Sequence, residues 1–260
     1  MKFNFPFHLV SESPWPLFGS LGLMNLMMGS LKFINESQLD LLICGNMMLI
    51  MVVCQWWRDV IRESTFQGLH LIKVKEGLSL GMLLFILFEL MFFVSFFWGY
   101  FHLFLSPNID LGMNFPPKNL LSFNPYNIPL MNTLILLFSG ITITWGHFLI
   151  YLKNYNLSVK MVLMTLVLGM LFSFLQYLEY KESFFSISDS SYGSIFFLMT
   201  GFHGIHVIIG SLFICLTLMR LKSAHFSSYH HFSFEASSWY WHFVDVVWLF
   251  LYIFVYWLSY

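Results

Sequence analysis

The sequence predicts an all-α membrane protein of seven transmembrane helices, and three observations predict it. Of the 260 residues, 58% are hydrophobic and 20% aromatic while only 10% are charged, so the outside of the protein must be apolar as well as the inside. The apolar residues gather into seven runs, at 17–34, 41–57, 78–105, 129–152, 161–178, 193–219 and 236–258. Each is close to or beyond the ~20 residues that cross ~30 Å of hydrocarbon at about 1.5 Å per residue. Finally, the second, fourth, fifth and sixth runs contain no Asp, Glu, Lys or Arg at all.

Taken in order, the first run follows Ser13-Pro14-Trp15-Pro16, and proline is tolerated in the first turn of a helix. A short connection then leads to the second run, so the two form a hairpin. Trp56 and Trp57 close the second run, where aromatic belts mark a membrane interface. The polar segment 58–77 is the longest charged link, and it divides the chain into 1–57, the linker itself and 78–260.

The third run places Glu89 about twelve residues into a predicted span. A Pro-rich loop at 106–127 follows, and Asn127-Ile128-Pro129 opens the fourth span. The third and sixth runs exceed the minimum and should tilt or project beyond the hydrocarbon. The last is crowded with Trp and Tyr, which give stiff amphipathic surface for helix packing and for both interfaces.

If the seven spans alternate, nine Lys and Arg fall on the N-terminal side: Lys2, Arg58, Arg62, Lys73, Lys75, Lys153, Lys160, Arg220 and Lys222. Only Lys32, Lys118 and Lys181 fall on the other. The positive-inside bias therefore puts the N-terminus on the side of synthesis. Met1-Lys2-Phe3-Asn4-Phe5-Pro6 lacks transit-peptide or secretory-signal character, so the first run is read as a permanent span. Two alanines against 32 Phe and 16 Met hint at an AT-rich, organelle-coded gene.

Several function classes are excluded. A formal net charge of −1 supplies no basic field for nucleic acid. Cys44, Cys54 and Cys215 lie in apolar runs without a C-x-x-C pair, which indicates neither a disulfide framework nor a zinc site. No nucleophile elbow, phosphate loop or paired-carboxylate site is present.

Glu89 is the sharpest local feature. A charge at that depth costs at least ~2.5–3.5 kcal/mol on insertion scales, so Glu89 must be neutral, paired or facing water. Its own run offers no Lys or Arg, which places any partner on another helix or a lipid. The functional reading is a proton-relay or ligand-contacting carboxyl, and the structural one is a hydrogen bond across a helix contact.

His203 and His206 sit three apart on the sixth span and hence on one face. Gly201, Gly204 and Gly210 beside them favour close packing with hydrogen-bonding histidines over a metal site. His242 and Asp245 form a second i,i+3 pair, expected to contact another helix or subunit. His102, His147, His203, His206 and His242 all lie in or near spans, but they lack the paired spacing of a two-haem bundle. No metal site is expected. Arg58, Arg62 and His70 follow the second span and Arg220 and His225 the sixth, on the same side of the membrane. Basic pockets there hold anionic lipid headgroups, although topology alone would also explain the cations.

Several runs then carry a resemblance. They are Ser13-Pro14-Trp15-Pro16, QWWRDVIRESTFQG at 55–68, Glu89 with Phe92-Phe93 and Phe97-Trp98, ISDSSYGSIFF at 187–197, TGFHGIHVIIGS at 200–211 and HHFSFEASSWYWHFVDVVWLFLY at 230–252. The chain resembles cytochrome c oxidase subunit III of the mitochondrial type. The resemblance implies a two-helix hairpin and a five-helix bundle separated by a lipid-filled cleft. It implies a non-catalytic core subunit in the mitochondrial inner membrane, its N-terminus on the matrix side. Haem and copper would sit in subunits I and II, and accessory subunits and bound phospholipids would surround this chain.

Carried over by position, Glu89 resembles the family's buried acid. Trp57, Arg62, Glu63 and His70 resemble headgroup contacts, and Arg220 and His225 resemble those for a second lipid. Leu69, Phe88 and Phe148 depart from the family pattern. Two alternatives stay open: subunit III of a quinol-oxidising relative, whose donor site would lie elsewhere, and a stand-alone proton-coupled transporter using Glu89 and Asp245. The transporter predicts repeated halves and broken helices, and the sequence has neither.

Overall fold

A computed structural model describes residues 7–8, 10–109, 112–118 and 120–260. The N-terminal reading of Met1 to Pro6, including Lys2, lies outside the described residues. The described residues contain seven helices long and apolar enough to cross a membrane, and they fall into two compact units, Met1–Leu78 and Ser79–Tyr260.

The first unit is built on α1 (Trp15–Glu36) and α2 (Asp40–Thr65). α1 begins with Pro16 in its first turn and ends at Ser37, whose φ of 57° turns the chain while its N–H bonds the Phe33 carbonyl. Lys32 and Asp40 pair at 2.9 Å across this turn. The helices approach closely because the contact is made by glycines. A Cβ on Gly29 would lie 2.5 Å from the Leu42 backbone nitrogen, and one on Gly45 would lie 2.7 Å from that of Leu26. Small residues at such points let backbones meet where lipid offers no hydrophobic drive to association.

α2 differs from the expected boundary. The helix does not stop at Trp57 but continues to Thr65, and α3 (Ile72–Leu105) already begins at Ile72. The segment 58–77 is therefore mostly helix, with only residues 66–71 outside it. Charge removes a segment from hydrocarbon but does not break a helix. The breaker here is Gly68, in the left-handed region at φ +64°.

In the second unit, α3 continues to Leu105 and is followed by α4 (Ile128–Tyr151), α5 (Tyr155–Lys181), α6 (Ser191–Lys222) and α7 (Phe232–Leu251). A π-helical turn, Tyr252–Trp257, extends α7. The 34 residues of α3 span about 51 Å at about 1.5 Å per residue, well beyond the hydrocarbon thickness. α4 packs on α5, α5 on α6, α6 on α7 and α7 back on α4. Trp241 is fully buried and its indole N–H donates to Ser139 Oγ at 2.8 Å. Gly169 and Gly210 make room for it, since a Cβ on either would come within 2.7 or 2.9 Å of the indole.

α3 joins this bundle through side chains. The Tyr100 hydroxyl donates to the Phe254 carbonyl at 2.6 Å, and Phe92 meets Phe202 edge-on at 5.1 Å. The 106–127 loop is anchored by Phe115 on Tyr100 and Tyr192 and by Phe123 on Phe196. Outward apolar side chains such as Phe88 and Trp98, 80% and 76% exposed, suit hydrocarbon or an apolar neighbour.

Candidate functional site

In the first unit, the end of α2 and the segment before α1 enclose a pocket of about 470 Å³, lined among others by His8, Trp15, Asp59, Arg62, Glu63 and His70. Asp59 is its organising group. It accepts from the Trp15 indole at 2.7 Å and from Arg58 at 3.2 Å, and Arg62 stands 3.9 Å away. The Trp15 indole and the two guanidiniums all favour the charged carboxylate, which lies six residues before the end of α2 at Thr65.

Glu63 pairs with His8 at 3.4 Å and accepts from Ser11 at 3.4 Å. His8 and His70 meet edge to face at 6.4 Å. Trp56 lines the pocket, whereas Trp57 is 48% exposed beside it. With Glu12, Asp59 and Glu63 on the wall and Arg62 as the guanidinium, the interior favours cations, while the exposed arginines at its edge favour anions.

The structure thus brings together Arg58, Arg62, Glu63 and His70, all singled out from the sequence. Asp59 too stands out in the sequence, grouped with Glu63 beside Trp56 and Trp57, and the structure adds Trp15 and His8. Trp15 and His8 lie far from α2 in the chain, and no local signal ties them to it.

The second unit gives Glu89 its partner. Glu89 Oε2 lies 2.9 Å from His206 Nε2, and His206 Nδ1 lies 2.7 Å from the Phe202 carbonyl. A carbonyl only accepts, so Nδ1 carries a hydrogen. For the Nε2···Oε2 contact to be a hydrogen bond it must hold one proton, either as a carboxylic acid donating to imidazole or as an imidazolium donating to carboxylate. Phe92, Phe93, Tyr240 and Phe243 surround the ring, limiting the water that could compete. The two groups that share the proton come from α3 and α6.

His203 is buried and its Nε2 lies 3.2 Å from the Val244 carbonyl, which can only accept. Its ring packs against Trp248 and Phe172. His203 and His206 therefore share a helical face but serve different neighbours. His242 Nδ1 and Asp245 Oδ2 are 3.8 Å apart. Asp245 is buried against Gly140 of α4, where a Cβ would come within 2.9 Å of Oδ2.

At the end of α6, Arg220 donates to Ser233 and lies over the Phe226 ring at 4.7 Å. His225 is exposed and its backbone N–H donates to the Arg220 carbonyl at 3.1 Å. Arg220 is thus partly committed within the protein, and only part of its guanidinium is open to a ligand.

With this geometry in view, the comparisons with known proteins point one way. The family described as cytochrome c oxidase subunit III matches residues 5–260. The chain is 54% identical over 254 residues to cytochrome c oxidase subunit 3 of Drosophila melanogaster, covering 98% of this chain and 97% of that protein. It is 52% identical over 254 residues to that of Locusta migratoria, with the same coverage. The Pisaster ochraceus protein of that name is 48% identical over 257 residues, 99% of each chain.

Proposed function

The chain belongs to the cytochrome c oxidase subunit III family, and from that premise we propose how it serves the oxidase of which it is a part. It works without a redox centre of its own. It stabilises the haem- and copper-bearing subunits I and II, holds phospholipid, and supports proton uptake while oxygen is reduced to water and protons are pumped. It does so in the mitochondrial inner membrane, with its N-terminus on the matrix side as the nine-to-three cation bias favours.

One observation carries the lipid reading. Arg58 and Arg62, with side chains 47% and 55% exposed, share the single carboxylate Asp59. Two guanidiniums on one carboxylate keep N–H donors free at the membrane surface, where a guanidinium grips phosphate with paired hydrogen bonds. Each basic residue so placed contributes about 1 kcal/mol toward an anionic surface. The acidic pocket beside it suits a headgroup that also carries an ammonium. The redox-free reading is supported by His203 and His206, whose Nε2 atoms already face Val244 and Glu89 rather than an open coordination site. The proton-uptake reading rests on the proton shared by Glu89 and His206.

The test is the phospholipid that co-purifies with the complex. Replacing Arg58 and Arg62 together by alanine should remove bound phospholipid while haem content per complex stays the same. Unchanged lipid content in the double variant would contradict the assignment.

A further inference from the structure

A second cluster lies apart from the Glu89 pair, where the end of α4 meets the start of α7. His147, His231 and Glu235 each present one donor atom, all within 4.8 Å of one another. His147 Nε2 and His231 Nε2 are 3.0 Å apart, and His231 Nε2 is 3.2 Å from Glu235 Oε1. Four ligands at about 2.0–2.1 Å around a tetrahedral ion lie roughly 3.3 Å from each other, so two of the three edges already have nearly the required length. Glu235 retains 27% side-chain exposure, and rotation of its carboxylate can close the remaining one.

The surrounding contacts favour a cation. His231 Nδ1 lies 3.0 Å from the Ser227 carbonyl, so its hydrogen is there, and in the neutral ring Nε2 presents a lone pair. This is how a backbone carbonyl commonly orients a metal-binding imidazole. That lone pair faces a carboxylate, which also only accepts. A single proton on Nε2, the arrangement at His206 and Glu89, points along one of its two contacts, to Glu235 or to His147, whereas a cation serves both.

The geometry points to a binding site for a divalent, redox-inert cation of the zinc class, held by His147, His231 and Glu235 with water as the fourth ligand. The ion ties α4 to α7. It went unseen in the sequence because His147 and His231 are 84 residues apart, far beyond any ligand spacing that a motif would show.

The experiment is equilibrium dialysis of radioactive Zn²⁺ against the purified oxidase complex carrying this chain, Glu235→Gln, His147→Gln or, as control, His102→Gln. One Zn²⁺ equivalent should bind to the parent and to the control, and each cluster variant should weaken it by at least about tenfold, the scale at which loss of even a supporting group is felt. The difference in Zn K-edge spectra between loaded and unloaded parent complex should show two imidazoles and light oxygen ligands. Equal affinity across all four proteins, an equal loss in the control, or a spectrum with fewer than two imidazoles would overturn the site. In that event the cluster is a proton-bridged His–His–Glu contact.

Discussion

At the residue scale, the Glu89–His206 contact joins two groups that neither helix could satisfy alone. A carboxyl in the middle of α3 has no Lys or Arg within the apolar run 78–105, and Lys73 and Lys75 lie about four turns away at the start of the helix, so leaving it unpaired would cost several kcal/mol. The 2.9 Å contact with His206 Nε2 supplies that partner, and as a hydrogen bond it accommodates the neutral acid. A hydrophobic carbodiimide, which reacts with protonated carboxyls, should therefore label Glu89 selectively. Glu89→Gln should abolish labelling and leave helix content unchanged, because the amide can still donate to His206. Labelling found mainly on Glu179 or Glu235 would contradict the pairing.

His206→Ala strands Glu89 in the same apolar setting and should destabilise the chain by about 1–3 kcal/mol, read as earlier unfolding in detergent. Glu89 and the need for a partner were legible in the sequence, since depth in an apolar run can be counted directly. The identity of the partner was not, since His206 lies 117 residues away. The pairing of Asp59 with Trp15, 44 residues apart, escaped notice for the same reason.

At the scale of elements, packing depends on where glycine faces a large side chain. Gly169 of α5 and Gly210 of α6 both lie against Trp241, whose indole is held by Ser139 and cannot easily move. Gly169→Ala should therefore cost about 1–3 kcal/mol by overpacking. Gly204→Ala, with nothing within 4 Å of the new methyl, should be neutral in the same thermal unfolding assay. Equal effects would show that the Trp241 contact is not the reason for the glycine.

All seven spans were legible because hydropathy over twenty residues is a strong local signal, and both proline-marked starts coincide with helix starts. The end of α2 was not legible. Hydropathy falls at Arg58, but the backbone stays helical to Thr65, with Ser64 and Thr65 hydroxyls bonding the Ile61 carbonyl. The charged face of that last stretch is what gathers Asp59, Arg58 and Arg62 into one place.

For the whole molecule, seven helices long and apolar enough to cross a membrane, with large apolar side chains exposed along them, describe a membrane subunit. Its membrane helices reach lengths of 34 and 32 residues, so α3 and α6 extend past the hydrocarbon on at least one side. The family explains which assembly it joins, and the roles proposed for the Glu89–His206 pair and the two exposed guanidiniums are the ones to measure there. The most direct test of the central claim is to strip this chain from the purified oxidase and follow metal content and turnover together. Haem and copper should stay with the remaining subunits and oxygen reduction should persist at first, while proton uptake or endurance during turnover declines. Haem or copper leaving with this chain would contradict the account.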